Sequence, residues 1–185
     1  MVNCSRKLGF TLVEVLVVVT IMGILSGIGV ASLRSAVANS RIKDAGINVT
    51  AFMQRAANEA TRLNEKLCVK VNNQSMKLYK GECSTEASKL GDPIDEMTLE
   101  SSNKFITGSE SNVKCSVLGS EEKKNPEESM TLTPKIGVSP IPSGCFLMRY
   151  GNTDRFAASI KSPTKFAMYY ELTYNGGADG SWFEP

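Results

Sequence analysis

One carboxylate interrupts an apolar stretch near the start of the chain, and its chemistry is the most unusual in the sequence. From Phe10 to Leu33 the only charged residue is Glu14, and a stretch of this length matches the roughly 20 residues that an α-helix needs to cross a bilayer. An unpaired carboxylate at the centre of such a helix costs about 2.5–3.5 kcal/mol, and less toward the interface. The sequence therefore predicts that Glu14 forms an ion pair in lipid-like surroundings.

The residues around the apolar stretch predict its orientation. Arg6 and Lys7 precede it, so the positive-inside rule places the first nine residues in the cytoplasm and everything after Leu33 outside. A secretory signal peptide would have a shorter apolar core of about 7–15 residues and small residues at a cleavage site, for which Ala31 and Ser32 are a loose match. An ordinary signal anchor is the other alternative. The presence of Glu14 favours a processed leader over both.

The string GFTLVE, with basic residues before it and an apolar run after it, resembles the class III leader of type IV pilins and type II secretion pseudopilins. The resemblance implies that a prepilin peptidase cleaves after Gly9 and that Phe10 becomes the N-methylated first residue. It also implies three kinds of partner: other pilins or pseudopilins in a filament, the peptidase, and an inner-membrane assembly platform, with membrane lipid around the helix before assembly. The protein would begin as a single-pass protein of the bacterial inner membrane and end in a periplasmic pseudopilus or a surface pilus.

The four-residue spacing from Phe10 to Glu14 suggests how subunits assemble. Positions i and i+4 share one face of a helix, so the new ammonium of Phe10 and the carboxylate of Glu14 would be presented side by side. A subunit that docks on a growing fibre could then bring its Phe10 ammonium to the Glu14 carboxylate of a neighbour, which would remove two desolvation costs together. The sequence therefore predicts Glu14 to be the assembly residue.

Cysteine usage agrees with export. Cys4 lies in the leader, which leaves an even number of cysteines in the exported part: Cys68, Cys83, Cys115 and Cys145. We expect two disulfides. Three pairings are possible and the sequence does not decide among them, although Cys68 with Cys83 would staple a predicted hairpin and would leave Cys115 with Cys145.

Composition argues against several other classes of protein. The formal charge of +2 comes from Arg6 and Lys7, because the rest of the chain has 19 basic and 19 acidic side chains, so no global charge favours nucleic acid binding. The chain contains no histidine, and no cysteine pair has the spacing of a zinc knuckle. It also has no nucleophile motif and no phosphate-binding loop. We therefore expect no enzyme activity, no metal and no cofactor.

The pattern of apolar residues predicts an α+β fold in which a long N-terminal α-helix packs on a C-terminal antiparallel β-sheet domain. We predict the helix over about Phe10 to Asn64, because apolar residues recur at three-to-four-residue spacing after the membrane segment. A hairpin with the loop Asn72 to Ser75 should follow. The predicted organisation is a cleaved leader over 1–9, a transmembrane and filament-core helix over 10–33, an amphipathic helix over 34–66 and a disulfide-bonded β-rich domain over 67–185.

The predicted strands, besides those of the hairpin, are seven: Met97 to Leu99, Lys104 to Thr107, Val113 to Leu118, Met130 to Thr133, Cys145 to Tyr150, Arg155 to Ile160 and Lys165 to Tyr174. Two stretches are predicted to be loops, Ser84 to Asp95 and Gly119 to Ser129, the second because it carries a run of charged residues.

Two functions from different classes remain open. The stretch from Arg41 to Val71, which covers the end of the predicted helix and the first predicted strand, is similar to the GspH/FimT group of minor pilins and pseudopilins. This resemblance implies a structural subunit. Major pilins share the same plan. The alternative is a binding module at a pilus tip, for DNA or a surface ligand. Some FimT-like pilins bind DNA through a basic C-terminal segment, but no basic residue follows Lys165 here, so we do not expect nucleic acid binding. The sequence does not separate a type IV pilus from a type II secretion pseudopilus.

Overall fold

The protein has one long helix followed by strands in two sheets, which confirms the predicted α+β class. The structure, a computed structural model, describes residues 9–83, 90–100, 102–107, 115–116, 123–134, 144–152, 155–161 and 166–171. The leader residues Cys4, Arg6 and Lys7 lie outside this part, as does the C-terminal segment after Glu171. The chain divides into two compact units, one that ends at Val37 and one that begins at Ala38.

Helix α1 runs from Leu12 to Leu63. Asn64 ends it, because this residue adopts a positive φ of 51° that reverses the backbone. The amide of Glu65 donates to the carbonyl of Ala60 and that of Asn64 to the carbonyl of Thr61, both at 3.3 Å. These two bonds form a Schellman motif, in which asparagine takes the place usually held by glycine.

The two parts of α1 have different surfaces. In the unit that ends at Val37, the large apolar side chains of the helix are exposed. In the unit that begins at Ala38, one face of the helix is buried and includes four alanines: Ala38, Ala45, Ala56 and Ala60. Ile42, Val49, Phe52 and Met53 are buried on it too. Val37, the last residue of the other unit, is 43% exposed.

In the described residues ten strands follow the helix: β1 (Leu67–Val71), β2 (Ser75–Lys80), β3 (Asp95–Thr98), β4 (Asn103–Ile106), β5 (Cys115–Ser116), β6 (Lys123–Pro126), β7 (Ser129–Leu132), β8 (Gly144–Tyr150), β9 (Phe156–Lys161) and β10 (Phe166–Glu171). They form a four-stranded sheet with the order β3-β2-β1-β7 and a second sheet with the order β10-β9-β8-β6-β5, in which β4 also pairs with β8.

The first sheet is antiparallel and is built on the predicted hairpin. Val71 pairs with Met76 as the last register of β1 and β2, so four residues from Asn72 to Ser75 separate the pair, although Ser75 already belongs to β2 through its pairing with Thr98 of β3. The amide of Asn72 donates to the carbonyl of Ser75 at 2.8 Å. The hairpin loop is therefore closed where the sequence predicted it.

Strand β8 organises the second sheet. One edge pairs with β9 along Cys145 to Arg149. The opposite edge is shared: β4 pairs with Leu147 to Tyr150 in antiparallel fashion, and β6 pairs with Gly144 and Cys145 in parallel fashion. The sheet is therefore mixed, although most of its pairs are antiparallel.

One apolar core joins the helix to both sheets. It contains helix residues such as Met53, first-sheet residues such as Leu78, and Phe146 and Met148 of β8. Thr50 on the helix donates a 3.0 Å hydrogen bond to the hydroxyl of Ser159 on β9, and Ser159 is 1% exposed. The helix and the second sheet are thus joined by one side-chain hydrogen bond within their apolar contact.

The middle of the second sheet, on β4, β8 and β9, is buried on both faces. Phe105, Met148 and Ala157 belong to the core against the helix. Their neighbours along the strands point to the other face, and these are also at most 5% exposed: Ile106, Leu147, Phe156 and Ala158. Such double burial explains why β8 reads as the continuous apolar run Cys145 to Met148 and not as an alternating pattern.

Several predicted boundaries differ from the structure, and one predicted loop is wrong. The helix begins at Leu12 and not at Phe10. The stretch Gly119 to Ser129, predicted to be a loop, contains β6 and the first residue of β7, because β6 is set by its parallel pairing with β8 and not by its own apolar pattern. The ends of the predicted strands Val113 to Leu118 and Lys165 to Tyr174 lie outside the described residues.

Candidate functional site

The start of helix α1 is an N-cap formed by Thr11. The amide of Glu14 donates to the Thr11 hydroxyl at 3.2 Å, and the amide of Val15 donates to the Thr11 carbonyl, also at 3.2 Å. Thr11 is therefore the N-cap residue and Glu14 the third helical residue, as in the T-x-x-E pattern. An acid in the first turn also interacts favourably with the partial positive charge of the helix N-terminus. The helix start itself thus fixes the position of Glu14.

Gly9 and Phe10 precede this cap. Both are exposed, Phe10 by 82% of its surface, and a Cβ atom added at Gly9 would meet no heavy atom within 4 Å. The peptide bond between these residues is accessible to a protease. Because Phe10 lies outside the helix, the prediction that Phe10 and Glu14 share a helical face does not hold for this structure.

The helix surface around Glu14 is apolar and uncovered. The most exposed large side chains include Leu12, Val13, Leu16, Ile24, Leu25, Ile28 and Leu33, each at least 58% exposed. This stretch is long and apolar enough to cross a membrane, and none of it is buried inside the protein. A surface of this kind requires lipid or other apolar helices around it.

Two polar side chains of this stretch, Thr20 and Glu14, differ in their hydrogen bonding. The Thr20 hydroxyl donates to the carbonyl of Leu16 at 3.0 Å and to that of Val17 at 2.8 Å, so it is satisfied within its own helix. The Glu14 carboxylate has no side-chain partner among the residues that the structure describes. Glu14 is thus a charge in an apolar stretch that still requires a counter-charge.

A comparison with protein families agrees with this geometry. The family model described as the prokaryotic N-terminal methylation motif matches residues 4–30. The chain carries a type IV pilin or pseudopilin leader. The predicted resemblance is therefore confirmed at the leader, and a leader of this type generally implies processing by a prepilin peptidase and assembly with other pilins. The matched residues include Gly9, Phe10, Thr11 and Glu14.

No curated protein and no solved structure has a significant match to the chain. The family match ends at residue 30, before the amphipathic part of the helix and the sheets. Membership of the GspH/FimT group stays a prediction from the sequence. The leader and the uncovered apolar helix fit a precursor that is anchored in a membrane.

Four cysteines of the described residues lie in two pairs. Cys68 on β1 is joined to Cys83, with a Cα–Cα distance of 4.9 Å, and Cys115 on β5 is joined to Cys145 on β8, with a Cα–Cα distance of 6.5 Å. The first bond ties the segment after β2 to the middle of the first sheet. The second attaches a two-residue strand to the central strand of the second sheet.

Sequence reasoning missed Thr11, although the signal was present. Threonine three residues before glutamate at the start of an apolar run is the sequence signature of a capping box. Phe10 and Val15 would then occupy the two apolar positions that flank such a box. One short string thus encodes the leader motif and the start of the helix together.

Proposed function

We propose that the protein is a non-catalytic structural subunit of a type IV pilus or a type II secretion pseudopilus, and that Glu14 and the Phe10 amino terminus of a neighbouring subunit hold it in the filament. The observation that supports this most directly is the lone carboxylate in the first turn of an uncovered apolar helix, next to an accessible Gly9–Phe10 peptide bond.

Proteolysis would create the missing counter-charge. Cleavage after Gly9 gives Phe10 a free amino group, and methylation of that amine preserves its positive charge. Glu14 sits in the first turn, so carboxylate and ammonium lie at the same level of the membrane. Neither charge is well solvated there, and pairing across subunits removes both costs. The uncleaved chain has no such ammonium and would not enter the filament efficiently.

The rest of the molecule suits a subunit whose domain lies outside the cytoplasm. In the unit that begins at Ala38, the described core is closed by its own helix face and two sheets, and both cysteine pairs are placed for disulfide bonds. Disulfides persist in the periplasm and at the cell surface. The apolar part of α1 would then move from lipid to the filament core, where neighbouring helices replace the lipid.

The role of Glu14 can be tested in a bacterium that assembles pili or pseudopili from this chain. Glu14→Gln and Glu14→Val should be processed and retained in the membrane, but their amount in sheared filaments should fall by at least about tenfold. The Phe10 ammonium of the neighbouring subunit would then have no counter-charge, and a loss of about 1.4 kcal/mol already corresponds to tenfold. Mass spectrometry of the membrane form should show methylated Phe10 as the first residue.

Glu96→Gln is the matched control, since Glu96 is an exposed carboxylate on β3 that pairs with Lys77 at 3.3 Å. It should enter filaments at the wild-type level. Wild-type incorporation of Glu14→Val, or a mature chain that begins at a residue other than Phe10, would contradict the proposal.

A further inference from the structure

The uncovered part of helix α1 has one charged residue near each of its ends. In the unit that ends at Val37, the described residues contain one acidic side chain, Glu14, and one basic side chain, Arg34. Both belong to the same continuous helix. No other charged residue lies between them in the sequence. These two residues therefore mark the limits of the exposed apolar surface.

The distance between the two charges matches the thickness of a membrane. Arg34 follows Glu14 by 20 residues, which is about 30 Å along the helix axis at a rise of about 1.5 Å per residue. The hydrocarbon core of a bilayer is also about 30 Å thick. When Glu14 lies at one edge of this core, Arg34 therefore lies at the other edge, and both charges avoid its centre.

Arg34 is exposed, and its guanidinium is not used within the chain. Among the described residues it takes part in no salt bridge and no side-chain hydrogen bond. The next arginine of the helix differs, because Arg41 pairs with Glu100. The donors of the Arg34 guanidinium are thus available to a ligand.

The surroundings of Arg34 favour a headgroup contact. In the predicted orientation this residue lies on the side of the membrane where the positive-inside rule disfavours basic residues, so an arginine there requires an anionic partner. Leu33 and Val37, beside it on the helix, are 64% and 43% exposed. The aliphatic stem of an arginine can lie along such an apolar surface while its guanidinium reaches the headgroups.

A phosphodiester is the ligand that fits this setting. The guanidinium is planar, stays charged, and can donate two parallel hydrogen bonds to the oxygens of one phosphate. Phospholipids carry their phosphates just outside the hydrocarbon core, which is the level that the 20-residue spacing gives for Arg34. The ammonium groups of zwitterionic lipids are cationic and would be repelled by Arg34.

We propose that Arg34 binds the phosphate of a phospholipid in the leaflet away from the cytoplasm, and that this contact fixes the depth of α1 in the membrane before assembly. The inference rests on the membrane-anchored stage of the proposed function and does not depend on the filament. With Arg34 held at one surface, Glu14 is held near the opposite edge of the hydrocarbon core. Release of the lipid phosphate then has to accompany entry of the helix into a filament.

Distance-dependent dephasing of carbon-13 by phosphorus-31 in solid-state NMR tests this contact directly. The sample is the full chain, labelled at the guanidinium carbon of arginine, in vesicles of phosphatidylethanolamine and phosphatidylglycerol without phosphate in the buffer. A guanidinium that is bonded to a phosphate has its carbon about 4 Å from the phosphorus, and its signal should be dephased. Arg34→Lys should remove roughly half of the dephased signal, since Arg6 of the leader is the other arginine expected at a membrane surface.

A matched variant and a second environment serve as controls. Arg62 is an exposed arginine of the same helix whose guanidinium is bonded to Glu59, so Arg62→Lys should leave the dephased signal unchanged. In micelles of a phosphorus-free detergent, added inorganic phosphate should not dephase Arg34, which separates a lipid phosphate from a free one.

Flotation with the vesicles shows independently that the wild type and each variant are inserted. Equal dephased signal in inserted wild type and inserted Arg34→Lys would overturn the proposal, as would dephasing of Arg34 by inorganic phosphate in micelles. A chain that does not float with the vesicles would contradict the membrane anchor itself, and the lipid contact with it.

Discussion

Replacing Thr11 by valine should loosen the first turn of helix α1 without changing the charge of Glu14. Valine has the shape of threonine but lacks the hydroxyl that accepts the Glu14 amide at 3.2 Å. The amide would then lose its only side-chain acceptor in this cap. The carbonyl of Thr11, which accepts from Val15, would remain, so the effect should be limited to the first turn.

The magnitude follows from the cap. Replacement of a threonine N-cap by a residue without an acceptor costs about 1 kcal/mol, which corresponds to a roughly fivefold change in an equilibrium constant. The population in which the first turn is open should increase by that factor. Hydrogen exchange at the Glu14 amide, measured by NMR on the full chain in detergent micelles, should accelerate about fivefold.

Two variants serve as controls. Thr11→Ser keeps the hydroxyl and should restore the wild-type exchange rate. Thr20→Val makes the same substitution in the same helix, but the Thr20 hydroxyl only donates to carbonyls of the preceding turn, so exchange at Glu14 should not change. If Thr11→Val exchanges like the wild type, the hydroxyl does not cap the helix and Thr11 does not position Glu14.

Two other predictions concern the unit that begins at Ala38. Replacement by alanine of either cysteine pair, which close sequence separations of 15 and 30 residues, should lower the free energy of unfolding by about 3 and 3.6 kcal/mol respectively. The melting temperature should then fall by roughly 6–14 °C, and a fall below about 2 °C would contradict this. Hydrogen bonds from Arg62 and Lys66 hold the pKa of Glu59 and of Glu82 below the ordinary value. Their stabilisation is therefore complete above about pH 4.3 and is lost as the pH falls through the lowered pKa. The double variant Glu59→Gln, Glu82→Gln should show a shallower decrease of melting temperature below that pH, and an unchanged slope would refute the prediction.

The parts of the fold with local signals could be predicted from the sequence. The helix follows from apolar periodicity, and the hairpin follows from the polar residues Asn72 to Ser75 between two apolar runs. Strand β8 was recognisable because Cys145 to Met148 is a continuous apolar run, the pattern of a strand buried on both faces. In each case a few neighbouring residues contain the decisive information.

The parts that depend on distant pairing could not be predicted. Strand β6 consists of Lys123, Lys124, Asn125 and Pro126, a polar sequence typical of a loop, and it is a strand because Asn125 and Pro126 pair with β8. The β1–β2 turn is held by backbone hydrogen bonds from Leu99 and from Phe105 on β4. Neither contact has a sequence signal, since the partners are far apart in the chain.

The candidate site at the leader shows the opposite case. Gly9, Phe10 and Glu14 could be named as candidates because the motif and the apolar run are contiguous. The start of the helix at Leu12 was missed because we extended the apolar pattern through Phe10 and did not consider Thr11 as a cap. The capping residue Thr11 decides where the helix begins, since it supplies an acceptor for an amide that the helix leaves unpaired.

The hydroxyl pair of Thr50 and Ser159 has a mechanical consequence. The buried helix face carries both small and large side chains, so sliding by one turn along the sheets would bring Ile42 to the place of Ala38 and Val49 to that of Ala45, which would disturb the packing. Such a slip would break the Thr50–Ser159 bond and bury both hydroxyls unpaired. The hydroxyl pair therefore helps to fix one position of residues 38–63 along the sheets, even when the protein is pulled along the axis of the helix.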